Sequence, residues 1–240
     1  MAIEIEINHD CNRTCAYCPN ATLQRKNQGQ MSEELFLRLL TELREIGYGG
    51  RISYHFYNEP LLSPQLDRFV GLTRRYLPEC RIEIYTNGTL LTEDRLMTLL
   101  TLGVDKFLVT KHHGLATFPF EELYEKLQPA IRSKIQLQGY KEMHLTSRGG
   151  LVNVRPPERK PPLDLPCLVP STLLVVTVNG NVLPCFEDFN ELNVMGNLNE
   201  RSLLEIWNSE RYRDFRVDLK RKRRSAHAVC KDCNHAMLLV

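Results

Sequence analysis

The feature that most constrains this chain is a group of three cysteines, Cys11, Cys15 and Cys18, directly after the strand-like stretch AIEIEIN. A structural zinc site and a cubane iron–sulfur cluster each need four ligands. Three thiolates around one metal–sulfur cube leave one iron open to an outside ligand, and an open position is typical of a reactive metal site. The alternative is a zinc knuckle that lacks one ligand.

The other cysteines divide into a second group and one isolated residue, Cys80. The second group has four members: Cys167, Cys185, Cys230 and Cys233. The sequence shows no signal-peptide pattern and no apolar run long enough for a membrane span, which predicts a cytoplasmic chain with reduced thiols. Clustered thiols in a reducing compartment indicate metal ligands, and four thiolates suit either tetrahedral zinc or a second cubane cluster.

Residues 1 to about 139 alternate between strand-like and helix-like stretches, which predicts a parallel sheet with helical crossovers. The five strand-like stretches are AIEIEIN, RISYHFY, RIEIYTNG, VDKFLVT and KIQLQGY. This count indicates an incomplete (β/α) barrel of the α/β class. In such folds the chemistry lies on the loops that follow the carboxyl ends of the strands.

The pattern changes near residue 148, where RGGLVNVRPPERKPPLDLP is rich in Pro and Gly and is interpreted as a linker. Asn179-Gly180 between β-branched runs predicts a type I′ hairpin. The stretch SLLEIWNSERYRDFRVDLKR predicts one amphipathic helix. We therefore predict two domains: residues 1–147 form the partial barrel, and residues 148–240 form a linker and a small domain of a β-hairpin and a helix.

The stretch CNRTCAYC, with Tyr17 before its last cysteine, resembles the CxxxCxxC motif of the radical S-adenosylmethionine enzymes. The resemblance implies a 4Fe-4S cluster whose open iron binds S-adenosylmethionine, which is cleaved to methionine and a 5′-deoxyadenosyl radical. YNEP resembles the Gly-Gly-Glu-Pro-like element of the family, so Glu59 would pair with the cofactor's ammonium, although Tyr57 and Asn58 depart from that element. The alternative for Glu59 is a loop residue without a ligand.

Two further loops would line the same pocket. The YTNG stretch ends the third strand, and the resemblance assigns Asn87 within it to cofactor binding together with Tyr17 and Glu59. In VTKHHG the adjacent residues His112 and His113 point to opposite sides of an extended chain, so we expect one of them to line the pocket. A solvated loop is the alternative for this pair.

The four-cysteine tail resembles the twitch domain, the short relative of the SPASM domain, which implies one auxiliary 4Fe-4S cluster that transfers electrons. More closely, NRTCAYCPN, GRISYHFYNEPLL, RGG and VVTVNGNVLPCFEDFN resemble the aminocyclitol dehydrogenases of aminoglycoside antibiotic biosynthesis. This resemblance implies oxidation of a secondary alcohol of an aminocyclitol to a ketone, with the auxiliary cluster accepting an electron.

The same resemblance implies that Arg148 is catalytic and stabilises the substrate oxygen as its proton leaves, whereas the alternative for Arg148 is a solvated loop residue. It also implies the substrate-binding set Tyr57, Tyr85, Arg148, Phe186 and Glu187. In that set Glu187, preferred over Asp188, would hold the substrate ammonium, and the two tyrosines would supply hydroxyl groups.

Two alternatives remain open. An epimerase on the same scaffold needs a pocket thiol that ligates no metal, and Cys80 precedes its strand, about 17 Å from the reaction face. The other is a zinc-stabilised binding module without catalysis. The basic run Lys220–Arg224 is interpreted as a solvated helix end or a docking point for a flavodoxin-type electron donor, and we expect no nucleic-acid or membrane partner.

Overall fold

One open sheet of eight strands organises the molecule, in a computed structural model that describes residues 1–114, 117–153 and 161–236. The spatial order of the strands is β5-β4-β3-β2-β1-β6-β7-β8. Their bounds are β1 Ala2–Ile5, β2 Arg51–Ser53, β3 Arg81–Thr86, β4 Lys106–Lys111, β5 Ile135–Gly139, β6 Leu173–Val176, β7 Asn181–Leu183 and β8 Gly196–Asn197. The two edge strands do not pair with each other, so the sheet is a partial barrel, as predicted.

The parallel part of the sheet has six strands, one more than predicted. The sixth is β6, the first arm of the predicted hairpin, which pairs in parallel with β1 from Ala2↔Leu173 to Ile5↔Val176. All four residues of β6 are buried and apolar, which is typical of a strand covered on both faces. The hairpin therefore extends the barrel sheet, and only β7 and β8 are antiparallel.

The turn between β6 and β7 is not the predicted type I′ turn. That type requires a positive φ at both central residues, but only Gly180, at 85°, has one, and Asn179 does not. Gly180 N donates to Thr177 O at 2.9 Å, so the loop is a tight turn followed by a left-handed glycine. The side-chain amides of Asn197 and Asn199 both donate to Asn179 O at 3.0 Å and hold the turn in this form.

Eight α-helices lie in the described residues: α1 Glu33–Glu45, α2 Leu66–Tyr76, α3 Glu93–Thr101, α4 Pro119–Lys126, α5 Pro129–Arg132, α6 Val169–Thr172, α7 Leu203–Trp207 and α8 Glu210–Lys220. The last two replace the single predicted amphipathic helix. The helix is interrupted between α7 and α8, and α8 begins after Ser209, whose Oγ accepts a hydrogen bond from Tyr212 N at 3.3 Å and caps the new helix. None of the described helices is both long enough and apolar enough to cross a membrane.

Residues 154–160 of the predicted linker lie outside the described residues, and the described part of that stretch forms no helix or strand.

Polar residues on the inner side of the barrel sheet prepare the site. Along β1, Ile3 and Ile5 are buried in the apolar core, and Glu4 between them is also buried, at 4% exposure. The register places Glu4 opposite Ser53, which in turn lies opposite Glu83. Successive residues of a strand point to opposite faces, so these three side chains form one polar layer inside the partial barrel.

Candidate active site

A cavity of about 440 Å³ lies at the carboxyl ends of β1 to β5, where the sequence predicted the chemistry. Ten of the site residues predicted from the sequence line it: Cys11, Cys15, Tyr17, Cys18, Tyr57, Glu59, Tyr85, Asn87, Arg148 and Phe186. The structure therefore brings together residues that are up to 175 positions apart in the chain.

The three-cysteine loop follows β1 and carries Cys11, Cys15 and Cys18, all free and half-buried. Cys18 N donates to Cys15 O at 2.8 Å and closes the end of the loop into a turn. Burial raises the pKa of Cys11 to about 11 and also raises the pKa of Cys18. Thiols in such a position ligate metal only after losing their protons, so a positively charged iron core fits this donor set.

Tyr17 and His112 form the wall next to this loop. The Tyr17 hydroxyl oxygen lies 2.6 Å from His112 Nδ1, and their rings stack with centroids 5.9 Å apart. Burial and then Arg13 lower the pKa of His112 to about 4, so its imidazole is neutral at pH 7. His113 does not line the cavity, and its carbonyl oxygen accepts from Arg13 Nη2 at 2.9 Å. The expectation that one histidine of the pair lines the pocket is therefore confirmed.

Glu59 is fixed at the cavity by the end of β3. Its carboxylate accepts from Thr86 Oγ1 at 2.7 Å, from Asn87 N at 2.8 Å and from Leu61 N at 3.2 Å. Burial raises its pKa. Asn87 in turn donates from Nδ2 to Asn12 Oδ1 at 2.8 Å, which ties this corner to the three-cysteine loop. A fixed carboxylate beside the three-cysteine loop is well placed to bind an ammonium group. The pairing of Glu59 with the ammonium of the cofactor stays a prediction, and the position of Glu59 is consistent with it.

Arg148 lies in a left-handed turn, with a φ of 49°, and its guanidinium lies 5.7 Å from the centre of the Tyr57 ring. Its Nη1 is 3.8 Å from Glu187 Oε1. The buried Glu187 carboxylate also accepts from Thr146 Oγ1 at 2.7 Å and from Gly149 N at 3.1 Å. Glu187 therefore positions the Arg148 turn directly behind the cavity wall, and its contact with the substrate ammonium stays a prediction.

The hydroxyl groups of the two predicted tyrosines are bonded within the protein. Tyr57 donates to Phe186 O at 2.9 Å, and Tyr85 donates to Glu83 Oε2 at 3.0 Å while accepting from Arg51. Each tyrosine offers its ring to the cavity, and the Tyr57 hydroxyl fixes the backbone of Phe186 at the cavity wall.

Sequence reasoning missed the residues Glu4, Arg51 and His55, which also line the cavity. Glu4 Oε1 lies 3.6 Å from His55 Nε2 and 4.0 Å from Arg51 Nη2, whereas Glu4 Oε2 and His55 Nδ1 have no hydrogen-bond partner among the described residues. Burial raises the pKa of Glu4 to about 8, and burial together with Arg51 lowers the pKa of His55 to about 3. The alternation in AIEIEI was the signal, because its acidic positions face the barrel interior.

The second group of cysteines surrounds a neighbouring cavity lined by Cys167, Cys185, Cys230 and Cys233. Cys185 follows β7, and Cys167 N donates to Leu219 O of α8 at 3.0 Å. Burial raises the pKa of Cys230 to about 12. These four free thiols converge from distant parts of the chain, and their number fits a cluster closed entirely by protein. His235 lines both this cavity and the first one, so the two sites are adjacent.

Cys80 lies at the opposite end of β3, directly before Arg81, and is buried at 2% exposure. Its carbonyl oxygen accepts from Arg74 Nη1 at 2.8 Å, and it does not line the cavity. The predicted position of Cys80, away from the reaction face, is confirmed.

Comparisons with known proteins agree with this geometry. The model of the radical SAM superfamily matches residues 5–146, and that of the SPASM iron–sulfur cluster-binding domain matches residues 167–234. The S-adenosyl-L-methionine-dependent 2-deoxy-scyllo-inosamine dehydrogenase of Niallia circulans is 46% identical over 97% of this chain and 92% of that protein.

Two crystal structures of BtrN are also similar. The complex of BtrN with AdoMet and 2-DOIA is 44% identical, with a TM-score of 0.93 over 100% of this chain and 94% of that chain. BtrN in an open conformation is 41% identical, with a TM-score of 0.77 over 98% and 92%. Because the superfamily model spans more than half of the sequence and the relative nearly all of it, the chain belongs to the radical SAM superfamily, with two 4Fe-4S clusters and S-adenosylmethionine as cofactors.

Proposed function

We propose that this chain is a radical SAM dehydrogenase that oxidises a secondary alcohol of an aminocyclitol to a ketone. The observation that carries the proposal is the adjacency of the two cysteine sites, since His235 lines both cavities, together with Arg148 in the lining of the first cavity. The relative from Niallia circulans, whose name states such an activity, supports the substrate class. 2-Deoxy-scyllo-inosamine or a related aminoglycoside precursor is the proposed substrate.

The bound cofactors supply a hydrogen-atom acceptor at the three-cysteine site and a one-electron acceptor at the four-cysteine site, and the alcohol proton completes the loss of two hydrogens. The chain's own residues orient the substrate between these sites. Arg148 keeps its positive charge and stabilises the substrate oxygen as the proton leaves. Glu187 holds the Arg148 turn in place through Thr146 and Gly149.

Glu4 is a second carboxylate, besides Glu187, that we propose for binding the substrate ammonium. It lines the cavity, is buried, and has one carboxylate oxygen without a hydrogen-bond partner among the described residues. A bound ammonium lowers the pKa of a buried carboxyl group and thereby favours its ionised form. A charge-assisted hydrogen bond then holds the aminocyclitol in one orientation.

Replacing Glu4 with glutamine is expected to raise the KM for the amine substrate about tenfold or more, because the lost bond is one to a charged group. Steady-state kinetics on the reconstituted enzyme measure this change. The control is Glu42→Gln, which changes a carboxylate on α1 that does not line the cavity. An unchanged KM in Glu4→Gln, with full cluster content, would contradict the assignment.

The epimerase alternative predicts a different product and a need for a thiol. Replacing Cys80 with alanine is expected to leave rate and product unchanged, because Cys80 lies away from the cavity. The assay incubates reconstituted enzyme, reductant and S-adenosylmethionine with a panel of aminocyclitols. We expect a product that is lighter than the substrate by two hydrogens. When the substrate carries deuterium at the carbon that is oxidised, we expect this deuterium to appear in 5′-deoxyadenosine.

An epimerase would instead give an isomer of unchanged mass with solvent deuterium on carbon, and Cys80→Ala would convert it into a ketone producer. Either observation would overturn the dehydrogenase proposal.

The zinc-module alternative is tested by metal content: the proposal requires iron and sulfide at both cysteine sites after anaerobic purification, whereas the module would be colourless and hold zinc.

The proposed electron donor to the three-cysteine site is a flavodoxin-type protein. The exposed cations at the end of α8, Lys220, Arg221, Lys222 and Arg223, would attract its acidic surface. We propose the cytoplasm as the compartment, since none of the eight cysteines forms a disulfide bond.

A further inference from the structure

Arg224 differs from the other four residues of the basic run KRKRR. Lys220 to Arg223 are exposed, as expected for a solvated helix end, but Arg224 is only 1% exposed. The turn after α8 explains the difference: Lys222 adopts a φ of 65°, Lys222 N donates to Leu219 O at 3.2 Å, and Arg223 N donates to Asp218 O at 2.9 Å. This Schellman motif ends the helix and directs the next side chain into the interior.

The buried guanidinium has no acidic partner among the residues that the structure describes. It donates to three backbone carbonyl oxygens: Nε to Leu165 O at 3.1 Å, Nη1 to His235 O at 3.0 Å and Nη2 to Pro166 O at 3.4 Å. No described carboxylate oxygen lies within 4.0 Å of it. Burying a charge without a counter-ion is costly, so its retention indicates a partner of opposite charge.

The four-cysteine cavity provides the place for that partner. Arg224 lines this cavity and is its only lysine or arginine among the described residues. The carbonyl groups that it holds belong to residues within two positions of Cys167 and Cys233. The two buried carboxylates in the lining have other partners: Glu187 faces the Arg148 turn, and Asp188 accepts from Leu192 N at 2.8 Å and Asn193 N at 2.7 Å.

We propose that Arg224 is the fixed countercharge of the four-cysteine cluster and raises its reduction potential, an inference that rests on the proposed function. A cluster closed by four thiolates is negatively charged, and it becomes more negative when it takes up an electron. A permanent cation beside it stabilises the reduced state more than the oxidised state. Arg224 thereby favours transfer of one electron from the substrate carbon radical, which becomes the ketone as it loses its proton.

The test is an anaerobic redox titration of the holoenzyme, followed by electron paramagnetic resonance with and without S-adenosylmethionine. The signal that S-adenosylmethionine does not alter belongs to the four-cysteine site. We expect Arg224→Gln to lower the equilibrium constant for one-electron reduction at this site by tenfold or more, which is about 59 mV. Arg224→Lys should stay within threefold of the unmodified protein, and Arg223→Gln, at the exposed neighbour, should not change it.

Iron and sulfide content separates the remaining outcomes. Loss of the cluster in Arg224→Gln with retention in Arg224→Lys supports the countercharge role. An unchanged potential in Arg224→Gln would overturn the countercharge role. An equal fall in potential, or equal cluster loss, in Arg224→Gln and Arg224→Lys would also overturn it, because the hydrogen bonds of the guanidinium would then matter and its charge would not. Absence of an iron–sulfur cluster from the four-cysteine site of the unmodified protein would instead refute the proposed function.

Discussion

Replacing Cys15 with alanine is expected to abolish the formation of 5′-deoxyadenosine from S-adenosylmethionine. Cys15 is the middle ligand of the loop after β1, and its carbonyl oxygen accepts from Cys18 N at 2.8 Å. Without Cys15 only two thiolates remain to hold the reactive cluster, so the cluster no longer presents a single open iron to which the cofactor can bind. Anaerobic reconstitution followed by chromatography of the nucleoside products measures the effect.

Cys80→Ala is the matched control, since it removes a buried thiol that lines neither cavity. It should cleave S-adenosylmethionine at the rate of the unmodified protein. The four-cysteine site of Cys15→Ala should still hold iron and sulfide, because its ligands come from the other end of the chain. If Cys15→Ala still makes 5′-deoxyadenosine, the assignment of the reactive cluster is wrong.

Replacing Arg148 with alanine is expected to lower ketone formation by about 100- to 1,000-fold, because a pre-oriented charge at a developing oxyanion contributes on this scale. The guanidinium lines the cavity and is aimed by the Glu187 carboxylate, 3.8 Å away. Both clusters should be retained, so iron, sulfide and product are measured on the same preparations.

Two companion variants separate charge from position. Arg148→Lys keeps the charge and should recover part of the rate, although it loses the planar fork. Glu187→Gln keeps an acceptor for Thr146 and removes the charge that orients the guanidinium, so its loss should be smaller than that of Arg148→Ala. Near-normal turnover in Arg148→Ala would remove this residue from the proposed mechanism.

Local patterns along the chain determined the cysteine sites and the barrel strands. The spacing of Cys11, Cys15 and Cys18 depends on one loop, and the strand–helix alternation depends on periodicities that any short window carries. The position of Cys80 before its strand also followed from chain order alone, since parallel strands share one reaction end. These predictions needed no knowledge of distant contacts, and the structure places each of them as expected.

The tertiary structure decided what the buried polar groups do, because their partners are distant in sequence. In the sequence Glu4 is only one polar residue of an alternating strand, and the register of β1 with β2 and β3 is what buries it inside the sheet. Glu187 lies close to the cluster ligand Cys185 in the sequence, but in the structure its carboxylate accepts from Thr146 and Gly149. The sequence placed Arg224 in a basic run, but a backbone turn buries it. Burial and pairing are properties of the packed chain, so the charge state and role of these groups emerge only when the whole sheet and the tail come together.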